Sequence, residues 1–213
     1  MKSLTMLTLP CAARLLLAAI RTTVCATACI AIGPITAAHA EPITATPPTA
    51  LRVSRTLAPA PKGVVDLKFG DMFKRPVGPA GLELTEQLRA LAGQRVRVVG
   101  HMATAEEATP GLLVLSPLPV SLGDEDEKLV DDLPPNAIFV HLSAAHQRVA
   151  LPNFGGLLQL TGTLEIGQQE EADGHTSHFR LRLDDATSRL LARAAARVAA
   201  RAPQRLASSA HTH

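Results

Sequence analysis

The chain has 213 residues, 21 basic and 19 acidic side chains, and a net charge of +2. This length allows one domain with tails or two small domains. All three cysteines (Cys11, Cys25 and Cys29) lie within the first 40 residues. The remaining chain therefore has no disulfide scaffold, no thiol nucleophile and no cysteine-based metal site.

Residues 1–40 have the features of an export signal. An apolar or small stretch spans 22–37, and Ala38-His39-Ala40 has the A-x-A form of a cleavage site. Arg21 divides the segment, and neither piece reaches the ~20 residues that a membrane span needs. We expect a periplasmic or secreted protein, cleaved at about Ala40. The alternatives are an uncleaved anchor and a lipoprotein acylated at Cys29.

Removal of this signal would change the sign of the net charge. Without Lys2, Arg14 and Arg21 the chain has 18 basic and 19 acidic residues, a net charge of −1. Nucleic-acid-binding proteins concentrate positive charge on one face and use exposed aromatic rings for stacking. The chain has five Phe and no Trp or Tyr. We therefore predict no nucleic-acid partner.

In chain order, residues 41–62 are rich in proline and lack apolar periodicity, which predicts an extended, mobile linker. The domain follows at 63–185. A short helix is predicted from about Glu83 to Ala92, with Gly93 placed to end it. Six segments have the apolar runs or alternation of short strands: 64–69, 95–103, 112–115, 137–142, 157–166 and 178–183.

These elements predict a mainly β fold. Short strands, glycine kinks and polar turns favour a small antiparallel OB-like barrel, with one short helix before it and an amphipathic helix at its C-terminus. Gly100 lies within the regular strand pattern Arg95 to Met102, and we expect this glycine to serve strand curvature. The helix that OB folds usually carry between their third and fourth strands has no counterpart in 143–156.

Residues 186–213 predict an arginine- and alanine-rich helix with a disordered tail, since Pro203 is expected to end or fray the helix. Arginines recur every fourth residue and form one slowly drifting stripe along the helix: Arg189, Arg193, Arg197, Arg201 and Arg205. The first four are our candidate partner-binding residues. Three interpretations stay open: weak contact with anionic lipid, pairing with an acidic surface, and a solvated face of a helix packed on the barrel.

Several short motifs resemble, in their order along residues 64–185, a family of exported bacterial proteins that is classed as a domain of unknown function. The motifs are Leu91-x-Gly93-x-Arg95-Val96-Arg97-Val98-x-Gly100-x-Met102, Leu115-Ser116-Pro117, Asp132-Leu133-Pro134-Pro135, Ile138-Phe139-Val140 and Thr161-Gly162-Thr163-Leu164-Glu165-x-Gly167. The resemblance implies an OB-like barrel and an envelope location, and no established reaction. Many relatives have an aromatic residue where this chain has His101.

Two sets of residues are candidate metal ligands. Asp124 and Asp126 lie in the acidic segment 124–132 and offer oxygen ligands for calcium, although the EF-hand spacing is absent. His175 and His178 offer nitrogen ligands for zinc if a turn brings them together. The alternatives are a solvated acidic loop and histidines satisfied by ordinary partners. No cofactor is predicted, with zinc or calcium as the open exception.

No motif for nucleophilic catalysis is present, since the chain lacks a G-x-S-x-G elbow and a phosphate-binding glycine loop. The sequence therefore predicts a non-enzymatic exported envelope protein. We expect a binding module for a partner protein or small ligand, accessory to a transport system or to envelope upkeep. The alternative function is periplasmic metal binding or metal handling, and an enzyme of unrecognised type is the third class.

Overall fold

The computed structural model describes residues 44–53, 56–122 and 133–209, and for 202–209 it describes the backbone alone. Six strands form one mixed sheet. They are β1 (Val65–Leu67), β2 (Arg95–Met102), β3 (Leu112–Ser116), β4 (Ile138–His141), β5 (Leu157–Glu170) and β6 (Thr176–Leu183). All six predicted strands are confirmed, with ends that differ by a few residues.

The strand order is β1-β2-β3-β4-β6-β5, and β2 pairs with β5 as well. The prediction of a purely antiparallel sheet is wrong, because β1 with β2 and β4 with β6 are parallel pairs. Strand directions explain the second pair. β3 runs antiparallel to β2 and β4, while β5 runs antiparallel to β2 and β6, so β4 and β6 must share a direction.

Both faces of β3 and β4 are buried, which explains their nearly continuous apolar sequences. Leu113, Leu115, Ile138 and Val140 belong to the main core. The alternate residues Leu112, Val114 and Phe139 form a second cluster on the opposite face, together with Ala103 and Ala137 from the flanking segments. Half-buried Val120, Leu122 and Leu133 pack on that second cluster, so the chain itself covers the outer face of these strands.

Gly100 and Gly162 lie where neighbouring groups approach the backbone closely. A Cβ atom at Gly100 would lie 2.8 Å from both the Phe69 ring and the carbonyl oxygen of Ser116. At Gly162 it would lie 2.3 Å from the carbonyl oxygen of Arg182. The contacts at Gly100 give this glycine a packing reason beyond the curvature that the sequence predicted.

Part of the segment predicted as a mobile linker packs on the sheet domain. Ala45 and Leu51 are buried in the main core. The amide of Ala45 donates to the carbonyl of Asn153 at 2.7 Å, and the amide of Val53 donates to the carbonyl of Leu157. Residues 44–53 therefore do not behave as a linker. Apolar periodicity did not reveal them because only single residues reach the core, between prolines.

Two α-helices flank the strands. α1 (Glu86–Ala90) begins after Thr85, whose Oγ1 accepts a hydrogen bond from the amide of Leu88. α2 (Asp185–Ser209) is confirmed, and it continues through Pro203, where the sequence predicted an end or fraying. The proline removes one backbone donor from the helix and leaves the bonds of the neighbouring turns. Across the described ranges, none of the helices combines the length and hydropathy of a membrane span.

Candidate functional site

The candidate site is the arginine row of α2, which we define as Arg189, Arg193, Arg197 and Arg201. All four side chains are exposed. Residues four apart follow one another along a helix face, with a rise of about 6 Å per step. The structure therefore brings the four predicted partner-binding residues together as one exposed line of positive charge.

The opposite face of α2 holds the helix on the domain. Leu191 and Ser188 are fully buried, and Ala195 is almost so. The Oγ of Ser188 accepts a hydrogen bond of 2.9 Å from the backbone amide of Ser143. This packing turns the arginine row toward solvent, which agrees with a helix that packs its apolar side on the domain.

Asp184 anchors the start of the helix. Its Oδ1 accepts a hydrogen bond of 2.8 Å from the amide of Thr187, as an N-cap residue does. Its Oδ2 accepts from the guanidinium of Arg95 on β2, also at 2.8 Å. One carboxylate thus caps α2 and links it to the sheet, which limits how far the arginine row can move.

The arginine row differs from the arginines of the sheet domain in its partners. Arg97 makes a bidentate pair with Asp66, while Arg180 and Arg182 share Glu165. No carboxylate of the described residues pairs with any of the four row arginines. Within this part of the chain the row therefore offers unneutralised donors for carboxylate or phosphate groups.

A buried polar cluster lies at the turn between β5 and β6. Glu171 is 6% exposed, and its carboxylate accepts a hydrogen bond from the Ser177 hydroxyl. His141 Nε2 lies 3.1 Å from the other carboxylate oxygen, within ion-pair distance but without the geometry of a hydrogen bond. Arg180 Nη1 donates to Ser177 Oγ at 3.1 Å and to the carbonyl of Gly167 at 2.7 Å.

This cluster contains the residue types of a serine hydrolase triad in a different arrangement. In a triad the serine bonds to the histidine, and the histidine bonds to the carboxylate. Here the Ser177 hydroxyl donates directly to Glu171, and Ser177 is fully buried. The histidine is therefore not placed to take the serine proton. Hydrogen bonds join the β5–β6 turn to β6, and the close approach of His141 to Glu171 places β4 beside the turn.

The candidate zinc ligands occupy different environments. His175 Nδ1 lies 3.3 Å from Asp173 Oδ2 in the turn, whereas His178 is exposed on β6. Asp124 and Asp126, the candidate calcium ligands, lie outside the described residues. The described residues, 44–53, 56–122 and 133–209, contain no group of three or more His, Cys, Asp or Glu side chains that could hold a metal ion.

A small cleft opens beside the second apolar cluster. It is lined by the loop after β2, by Leu112 to Val114 of β3, and by Leu122, Leu151, Asn153 and Asp173. Its volume is about 30 Å³, whereas sites for drug-sized ligands usually have ~300 Å³ or more. The Asn153 side chain is already engaged, since it bonds the backbone of Ala105 in both directions. The cleft suits a water molecule better than a ligand.

No sequence pattern indicated the buried polar cluster or the Asp66–Arg97 pair. Arg97 and Arg180 stand in strand alternation at positions that normally face solvent, and both are buried with acidic partners. A usable signal was the acidic residue in a neighbouring strand, Asp66 for Arg97 and Glu165 for Arg180. That signal needs the strand pairing, which the sequence alone did not provide.

Comparison with known proteins gives a weak structural similarity. The chain is similar to the crystal structure of a DUF3299 family protein from Pseudomonas aeruginosa PAO1, with 13% identity and a TM-score of 0.38. The match covers 59% of this chain and 94% of that one. No family model matches the chain, and no curated protein matches it. The neighbour is a bacterial DUF-family protein, and a TM-score of this size carries no argument about function.

Proposed function

We propose that this protein is a non-enzymatic, exported envelope protein that works as a binding module, and that it docks an anionic partner through the arginine row of α2. The observation that carries the proposal is the row itself. Four exposed guanidinium groups follow one another on a helix whose other face is packed, and none has a described carboxylate partner. The signal-like residues 1–40 support the export part.

The pairing of the strands supports an OB-like barrel as the scaffold. The strands β2, β3, β4, β6 and β5 form a circuit of hydrogen-bonded neighbours that returns to β2. OB folds are five-stranded Greek-key barrels that bind oligonucleotides or sugars on the face of their second and third strands. The corresponding strands here are β3 and β4.

The composition and coverage of the β3–β4 face argue against a nucleic-acid partner. The outer face of β3 and β4 is apolar and is covered by Val120, Leu122 and Leu133 of the same chain. Glu107 and Asp173 line the cleft beside it, and these acidic groups repel a phosphate backbone. The regular row of exposed arginines lies on α2 instead, so we assign the binding role to the helix.

The test uses poly-L-glutamate as a defined polyanion. The double variant R193E/R197E replaces two attractive contacts with two repulsive ones, so we expect at least about tenfold weaker binding by fluorescence anisotropy. The matched control K62E/R75E makes the same change of net charge at exposed positions elsewhere. We expect the control to stay within about twofold of the unaltered protein.

Equal loss in both variants would mean that the polyanion senses net charge and not the row. No measurable binding of poly-L-glutamate by the unaltered protein at about 50 mM salt would contradict the proposed function, because surface charges are only weakly screened at that salt concentration. Export is tested separately, by fractionating cells and sequencing the N-terminus of the periplasmic protein. An intact N-terminus in the cytoplasm would contradict that part.

A further inference from the structure

We infer that the partner of α2 is an acidic α-helix of another protein, which lies along the arginine row with carboxylates repeated every fourth residue. The inference rests on the proposed function and adds the chemistry and shape of the partner. It starts from the composition of the exposed face. Beyond Asp185, every exposed residue of α2 with a described side chain is arginine or alanine: Ala186, Arg189, Arg193, Ala196, Arg197, Ala199, Ala200 and Arg201.

This composition disfavours a lipid surface. Helices that bind lipid interfaces bury an apolar face, usually with Leu, Phe or Trp, below the headgroups. Up to Arg201, where the described side chains of α2 end, the large apolar residues are engaged with the domain: Leu191 is buried, and Leu190 and Val198 pack against the main core. Among these described residues the exposed face has no comparable side chain to insert, so their contact with lipid would depend on charge alone.

The same composition favours a helix. Ala192, Ala196 and Ala200 are four residues apart and run directly beside the arginine row, with Ala192 half-buried and the other two exposed. Rows of residues four apart form the ridges and grooves by which helices pack. Three alanines leave a shallow groove next to a ridge of arginines, so a partner's side-chain ridge can enter the groove while its acids meet the guanidinium groups.

The spacing of charges fits this arrangement. Arginines four apart are separated by about 6 Å along the axis, and glutamates four apart on a partner helix have the same separation. The guanidinium fork binds a carboxylate through two parallel hydrogen bonds. This chain already forms such a fork, since Arg97 contacts both carboxylate oxygens of Asp66 at 2.6 and 2.9 Å.

The test compares two synthetic peptides of about 20 residues, a length at which alanine-rich helices form. One carries glutamate at every fourth position on an alanine–glutamine background. The other has the same composition, with its glutamates distributed around the helix. We expect the full-length protein to bind the patterned peptide at least about tenfold more tightly by fluorescence anisotropy, since only that peptide matches the row.

A second variant probes the groove and leaves every arginine in place. A196L/A200L fills the alanine row with a residue that favours helices, and we expect it to lower the affinity for the patterned peptide about tenfold. Binding of poly-L-glutamate should stay unchanged. The control A58L/A80L makes the same substitution at exposed sites outside α2. Unfolding midpoints of all variants confirm that they are folded.

The outcomes separate the two proposals. Equal affinity for the two peptides, or no effect of A196L/A200L, would overturn the inference of an acidic-helix partner. The proposed function would still stand in that case if the binding of poly-L-glutamate depends on the arginine row. Phosphatidylglycerol vesicles that displace the patterned peptide from the row identify lipid as the partner and overturn the inference. A tenfold gain in peptide affinity of D124S/E125S/D126S/E127S would mean that the chain's own acidic residues compete for the row, and it would overturn the inference of a partner on another protein.

Discussion

The guanidinium of Arg97 is buried, and it forms an ion pair with Asp66 on the neighbouring strand. The side chain of Arg97 is 2% exposed, that of Asp66 is 40% exposed, and the two residues are paired in register. Hydrogen bonds from Arg97 lower the pKa of Asp66 below its usual value, against the smaller opposing effect of burial. This residue pair therefore gives the fold a pH dependence that can be measured.

Because the pKa of Asp66 is lower in the folded state, the pair contributes stability above the carboxyl's unfolded pKa and loses it as the pH falls through the folded value. We expect D66N to lower the free energy of unfolding by about 1–2 kcal/mol at pH 7, since Arg97 stays buried without its counter-charge. Urea titrations should show this difference shrinking toward pH 3. A constant difference across that range would contradict the assignment.

Gly100 carries a second prediction at the scale of one residue. An alanine Cβ there would lie 2.8 Å from the Phe69 ring and from a carbonyl oxygen. Overpacking of this kind usually costs about 1–3 kcal/mol, so we expect G100A to lower the urea midpoint accordingly. The control G70A places the same methyl group in open space. Similar losses in both variants would mean that close packing at Gly100 is not the cause.

At the scale of elements, alternation and composition in the sequence predicted the strands and the C-terminal helix. The six strands and the arginine helix appear where those patterns predicted them. Residues 44–53 were missed because their contacts are single apolar residues and backbone hydrogen bonds, which leave no periodic pattern. The exposure of the arginine row followed from four-residue spacing, whereas its anchoring by Asp184 and Ser188 needed the structure.

Leu191 tests whether α2 is part of the folded domain. Its side chain is fully buried in the main core, and replacing a buried leucine by alanine usually costs about 2–5 kcal/mol. We expect L191A to reduce the free energy of unfolding by an amount in this range. The exposed change R193A should stay within about 0.5 kcal/mol. If L191A unfolds at the same urea concentration as the unaltered protein, α2 does not pack as described.

Because α2 is packed on the domain, its binding role is better tested by substitution than by deletion of the helix. Deleting α2 would remove Leu191 and Ala195 from the core and Ser188 from its hydrogen bond. Loss of binding after such a deletion would then report loss of folding as readily as loss of a binding surface. Charge reversal on the exposed face avoids this difficulty.

At the scale of the whole molecule, strand pairing is the part that sequence patterns left open. Alternation assigns a residue to a face and does not say which strand lies beside it. The parallel pairs β1 with β2 and β4 with β6, and the pairing of β2 with β5, depend on contacts far apart in the chain. The buried polar cluster of His141, Glu171 and Ser177 arises from the same pairings, which is why no motif indicated it.

NMR of the arginine side chains tests most directly whether the arginine row of α2 is the binding surface. On addition of poly-L-glutamate, the Nε–Hε resonances of Arg189, Arg193, Arg197 and Arg201 should shift together and return as salt screens the charges. Those of Arg97 and Arg180, which are buried with acidic partners, should not move. Shifts centred on the β5–β6 turn, or spread equally over all exposed arginines, would contradict the claim.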